Sequence, residues 1–228
     1  TDERGDEDIC PWARSKVLPH IDAQDVIDLR NDFDEHKADG TQHAKTTRIV
    51  IGTSTSGWES KDCHYLCDGV ADQVEINAAI QALSVSGGEI IILDGTYNIT
   101  AKINVNKSNI SIKGNGNATI LKRMWNSNST EGVITLDGAS NCKIENLQID
   151  GNKSVYTSPD NLGIYLNSSD NNTITGNTCN NNNNGIHLSS SDNNIITGNT
   201  CNNDSDGIFL SLGNNNTITG NTCNNNDS

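Results

Sequence analysis

Aromatic residues make up only 4% of these 228 residues, and hydrophobic residues of all kinds 33%. That excludes a globule with a thick core and raises disorder as the first alternative, since polar low-complexity chains often bury too little to fold. Basic residues are scarce too: 15 Lys and Arg stand against 29 Asp and Glu, for a net charge of −14. None of them follows Lys153. A phosphate backbone or an anionic membrane would be repelled by most of such a surface, so neither is an expected partner. No run of about 20 apolar residues exists, which excludes a spanning helix. The seven cysteines do not read as a disulfide framework, because three recur at a fixed interval.

That interval is the strongest signal in the chain. Gly-Ile-Tyr-Leu at 163, Gly-Ile-His-Leu at 185 and Gly-Ile-Phe-Leu at 207 are 22 residues apart. So are the Thr-Gly-Asn-Thr-Cys blocks ending at Cys179, Cys201 and Cys223. A period of this length carrying several short strands means a solenoid, and regular spacing argues against disorder. Leucine-rich repeats need several leucines per unit, whereas each unit here has one or two. The fold expected is all-β: a right-handed parallel β-helix with an N-terminal capping helix and a short N-terminal helical stalk. Residues 1–47 read as linker and stalk, the latter through Ile21, Val26, Leu29 and Phe33. Residues 48–100 read as a strand, a capping helix after Asp72 and a first coil. Residues 101–228 read as the β-helix, with 22-residue repeats from about 161.

Alternation places Ile164/Leu166, Ile186/Leu188 and Ile208/Leu210 inward, with Ile174, Ile196 and Ile218 on a second strand and Cys179, Cys201 and Cys223 at a third position. Asn177, Asn199 and Asn221 are expected to form an asparagine ladder at a bend. The stacked thiols read first as small hydrophobes and second as neighbours within disulfide reach. Tyr165, His187 and Phe209 lie between inward residues and so form an outward rib. Such a rib could stack against sugar rings, or its rings could simply stabilise adjacent coils.

Asp68-Gly-Val-Ala-Asp-Gln-Val-Glu-Ile-Asn-Ala-Ala-Ile80, followed by Gly87-Gly-Glu-Ile-Ile-Ile-Leu-Asp-Gly-Thr-Tyr97, resembles the opening of pectate-lyase-like β-helix proteins, a superfamily of phage tailspikes and polysaccharide lyases and hydrolases. In that superfamily the helix caps the open top of the solenoid. The Asn-rich tail looks like the repeats of NosD-like surface proteins of the copper-maturation group, and the segment from His36 to His43 is similar to phage-tail stalks. Lyases on this fold need Ca²⁺-binding carboxylates and an Arg or Lys base, which would fall on Lys113, Lys122, Arg123, Lys143 or Lys153. Hydrolases need clustered carboxylates. The candidates are Asp137, Glu145, Asp150 and Lys153, near the insertion 154–161, with a solvated structural turn as the bland alternative. Cys63 and Cys67 could share a helical face, but no further zinc ligand stands close to them, so no metal is expected unless a lyase brings Ca²⁺. The leading expectation is a non-catalytic structural or adhesion protein of a phage tail or cell surface, extracellular or on a virion, allowing a homotrimer, and binding polysaccharide or cell-surface glycan on a sheet face. The alternative is a polysaccharide lyase, hydrolase or epimerase. The repeat is still running at Ser228, so further coils or another chain are expected to cover that end.

Overall fold

The computed structural model describes residues 47–227; the expected stalk helix at 21–38 lies outside them. The chain is a right-handed parallel β-helix. Among the described residues every pairing between strands is parallel, and the strands form two sheets stacked coil on coil. One is a five-stranded sheet made by Ile103–Val105, Glu131–Asp137, Asn161–Asn167, Asn184–Ser189 and Asp206–Ser211. The other has 12 strands, and each regular coil gives it a pair separated by a bend, such as Thr173–Thr175 and Thr178–Asn180.

Residues one period apart are direct partners. Cys179 pairs with Cys201 and Cys201 with Cys223; Ile186 pairs with both Ile164 and Ile208. Stacking at the inter-strand spacing of about 4.8 Å turns each inward residue type into a column. Ile164, Leu166, Ile174, Cys179, Ile186, Ile196 and Cys201 are fully buried. In the last coil the same positions open out: Leu210 is 39% and Ile218 41% exposed, and Cys223 is exposed.

Earlier coils are longer and less regular. The segments 110–112 and 119–121 are parts of one strand, Ile110–Arg123, broken in register on either side of Gly116. Gly116 sits at φ +61°, which a side chain would strain.

The capping helix is Gln73–Ala82, with Ile76, Ala79 and Ile80 buried and Val74 58% exposed. Asp72 does not cap the helix as the sequence suggests. Its side chain makes no bond to the helix's own N–H groups. The helix instead substitutes for a missing strand. Asn98 N–H donates to Asp72 Oδ2 at 2.7 Å, Thr100 N–H to Gln73 Oε1 at 2.9 Å and Asn104 N–H to Asn77 Oδ1 at 2.8 Å. Lys107 Nζ crosses back to the carbonyls of Ile80, Gln81 and Leu83 at the helix's C-terminal end. An edge that would otherwise template a foreign strand is thereby saturated.

Candidate functional site

The outer face of the five-stranded sheet carries the aromatic rib. Thr135, Tyr165, His187 and Phe209 are successive register partners, and beside them run Asp137, Asn167, Ser189 and Ser211. The rings touch one another. Tyr165 and His187 have centroids 5.1 Å apart at 54°, and His187 and Phe209 4.9 Å apart in an edge-on arrangement. The rib is unevenly covered: Tyr165 is only 8% exposed, His187 half-buried and Phe209 40% exposed. Ring-on-ring contact uses much of the π surface, so the part open to a ligand is the His187–Phe209 end. Burial pushes the His187 pKa down, keeping the ring neutral near neutral pH, and its nitrogens face Asn184 Nδ2 at 3.5 Å and Ser211 Oγ at 3.4 Å.

The candidate acid–base groups do not converge. Asp137 lies on the five-stranded sheet and accepts Asn167 Nδ2 at 3.0 Å. Glu145 is on the other sheet, paired with Lys143 at 2.8 Å. Asp150 accepts Asn152 N–H at 3.0 Å and Asn181 Nδ2 at 3.1 Å, the bonds of a structural turn. Asp150 and Lys153 do share an open trough of about 550 Å³ with Asn181, Asn203, Asn225 and Asp227, in which Lys153 reaches Asp227 at 3.7 Å. Arg123 is fully buried: it donates to Asn161 Oδ1 and to the carbonyls of Leu162 and Glu131, lies 3.8 Å over Trp125, and burial lowers its pKa to about 9. It holds coils together out of reach of a substrate.

The ladders exceed the one the sequence singled out. Asn177 N–H and Nδ2 donate to Asn199 Oδ1, and Asn199 repeats this onto Asn221, at 2.9 to 3.1 Å. Asn172, Asn194 and Asn216 form a second such ladder at another corner. A third runs Asn182, Asp204, Asn226, with a carboxylate as its middle rung. The signal for both was in the sequence as the same 22-residue recurrence.

Cys67 is not helical but ends the strand Tyr65–Cys67. Sequence proximity suggested no further ligand, yet the turn after it brings Asp72 and Glu75 back, so that one ligand atom from each of the three lies within 4.8 Å of the others.

A model of the NosD family, described as a periplasmic copper-binding protein, matches residues 41–228. No curated protein sequence matches. Among solved structures, the ORF18 protein of Geobacillus virus E2 is 22% identical with a TM-score of 0.57, covering 91% of this chain and 44% of that one. The A-module of mannuronan C-5 epimerase AlgE4 from Azotobacter vinelandii is 19% identical with a TM-score of 0.52, covering 75% and 51%. An alginate lyase from a Paenibacillus species is 16% identical with a TM-score of 0.50, covering 72% and 50%. The chain thus spans about half the length of these structures, and the likeness is one of fold.

The family's description names copper, whose soft Cu(I) state prefers sulfur donors. Cys179 is a buried thiol whose proton is held by the hydrogen bond with Cys201 and by desolvation, and Cys179, Cys201 and Cys223 form a line, not a ring about a point. Cys67 has two carboxylates for company. Neither arrangement fits a soft Cu(I) centre, which wants several sulfur donors together. The family assignment rests instead on the backbone and its repeat: with the model matching over most of its length and one parallel coil stacked on the next, this chain belongs to the NosD family of right-handed parallel β-helix proteins.

Proposed function

We propose that this protein is a non-catalytic, rigid β-helix that binds polysaccharide along the outer face of its five-stranded sheet, at an extracellular, cell-surface or virion location. One observation carries the reading: a column of rings ending in exposed Phe209 runs beside a column of polar side chains, Asp137, Asn167, Ser189 and Ser211, on one flat surface. Rings meet the apolar faces of sugars while amides and hydroxyls meet their edges, and an acidic chain of net charge −14 favours neutral glycans over nucleic acid or anionic membrane. No helix among the described residues is long and apolar enough to cross a membrane. The engagement of Asp137, Glu145, Asp150 and Lys153 in turns and ion pairs supports binding over turnover. The family's periplasmic description and the likeness to a virus protein agree with a site outside the cytoplasm.

The test is retention on a panel of bacterial and plant polysaccharides. Phe209→Ala should weaken binding about three- to tenfold, the value of one stacking contact. Retention unchanged in both Phe209→Ala and His187→Ala removes the sheet face from the proposal. New reducing ends or unsaturated products, lost in Asp150→Ala, would replace it with a lyase, hydrolase or epimerase.

A further inference from the structure

We propose that the junction between the strand Tyr65–Cys67 and the capping helix is a divalent-metal site, with the Cys67 thiolate and the Asp72 and Glu75 carboxylates as protein ligands of a borderline ion such as Zn²⁺. Their ligand atoms lie within 4.8 Å of one another, a spread that a single ion bridges at Zn–S and Zn–O lengths of about 2.3 and 2.0–2.2 Å after small side-chain adjustment.

The backbone builds this convergence. Cys67 ends its strand, Gly69 and Ala71 take φ values of +87° and +56°, and the chain turns straight into the helix. Asp72 and Glu75 stand three residues apart at its start, hence on one face. Cys67 and Asp72 are fully buried, and Glu75 Oε2 is sealed from solvent with no hydrogen-bond partner. A sealed carboxylate oxygen without a donor is costly. A cation relieves that penalty.

Asp72 is already aimed. Gly69 N–H donates to its Oδ1 at 2.8 Å and Asn98 N–H to its Oδ2 at 2.7 Å, the kind of support that orients ligating carboxylates while leaving each oxygen a further lone pair. Without the ion the thiol keeps its proton and points it at the Asp72 carbonyl, 3.7 Å away. On binding, the Zn–S bond forms as that proton is displaced to the buffer, with no change of oxidation state. One sulfur with two hard oxygens favours a borderline ion over Cu(I), so the site differs from the metal in the family's description. It stands apart from the sheet face proposed for polysaccharide, and either assignment survives loss of the other.

The experiment uses the full chain, reduced and stripped with chelator, titrated with Co²⁺ and then Zn²⁺. One equivalent of Co²⁺ should give a near-ultraviolet sulfur-to-cobalt charge-transfer band, displaced by Zn²⁺. The band should vanish in Cys67→Ser and persist in Cys63→Ser and Cys201→Ser. Absence of the band in the unaltered protein, or its survival in Cys67→Ser, overturns the proposal. Should Cys67→Ser fail to fold, Glu75→Gln decides: Co²⁺ affinity reduced at least about tenfold supports the site, and unchanged affinity overturns it.

Discussion

Asp204 occupies a rung where its neighbours above and below are Asn182 and Asn226. Its Oδ1 serves the ladder, accepting Asn182 N–H at 2.6 Å and Asn182 Nδ2 at 3.1 Å. Its Oδ2 stands where an asparagine would present an NH₂ group. In the regular rungs that group donates to the carbonyl 25 positions back, as Asn226 Nδ2 does to Cys201 O and Asn199 Nδ2 to Ile174 O. Asp204 Oδ2 has no partner, and burial raises the carboxyl pKa from 3.8 to about 7. The folded state therefore holds a proton that the unfolded chain releases near pH 4. The resulting stability is complete below about pH 4, declines as pH rises, and is gone above about pH 7. Asp204→Asn should abolish that decline and raise the melting temperature at pH 8, by about 2–4 °C for each kcal/mol recovered. Parallel thermal melts from pH 4 to 8 check this; identical slopes in the two proteins would refute it. Arg123 is a buried charge whose two terminal nitrogens find acceptors while its Nε has none. Arg123→Ala strands the Leu162 and Glu131 carbonyls and should cost about 3 kcal/mol or more in urea unfolding.

The ladders explain how a coil so poor in apolar residues keeps its shape. At each bend the backbone cannot continue the sheet pairing, and asparagine amides take over: Asn199 accepts from Asn177 and donates to Ile174 O, Thr197 O and Asn221 Oδ1. Asn199→Ala leaves several of these groups buried and unsatisfied, so a loss of about 1–3 kcal/mol is expected. Asn221→Ala, in the last coil, should cost less, and equal losses would argue against a ladder role. Left-handed residues make the turns beside the ladders, with Asn181, Asn203 and Asn225 all near φ +55°. The capping helix works by the same logic, offering side-chain oxygens to an edge strand. That purpose was not visible in the helix's own sequence, because the N–H groups it satisfies lie 26 and 27 residues further on.

Over the whole molecule, stability should be graded along the stack, since each coil contacts only its neighbours. Leu188 is buried between coils, whereas Leu210 is 39% exposed. Leu188→Ala should cost about 2–5 kcal/mol and Leu210→Ala under about 1. Hydrogen exchange should report the same gradient, with amides of Thr222–Asn224 exchanging before those of Thr178–Asn180.

Legibility follows the repeat. From about 161 onward, identical residues 22 positions apart must stack, so the inward columns, the Asn177–Asn199–Asn221 ladder and the outward rib could all be placed from the sequence. In earlier coils the offset varies, with Gly88 paired to Ile110, Ile103 to Ile134 and Leu121 to Ile149, so no fixed interval shows which residues stack. The amino-acid sequence by itself determined the parallel β-helix, because period and alternation together fix which side chains share a column. Only the tertiary structure decided how far Tyr165 is covered, what Arg123 and Asp72 hold, and that Cys67, Asp72 and Glu75 meet. Those outcomes depend on turn geometry and on contacts between coils of unequal length, which no local pattern encodes.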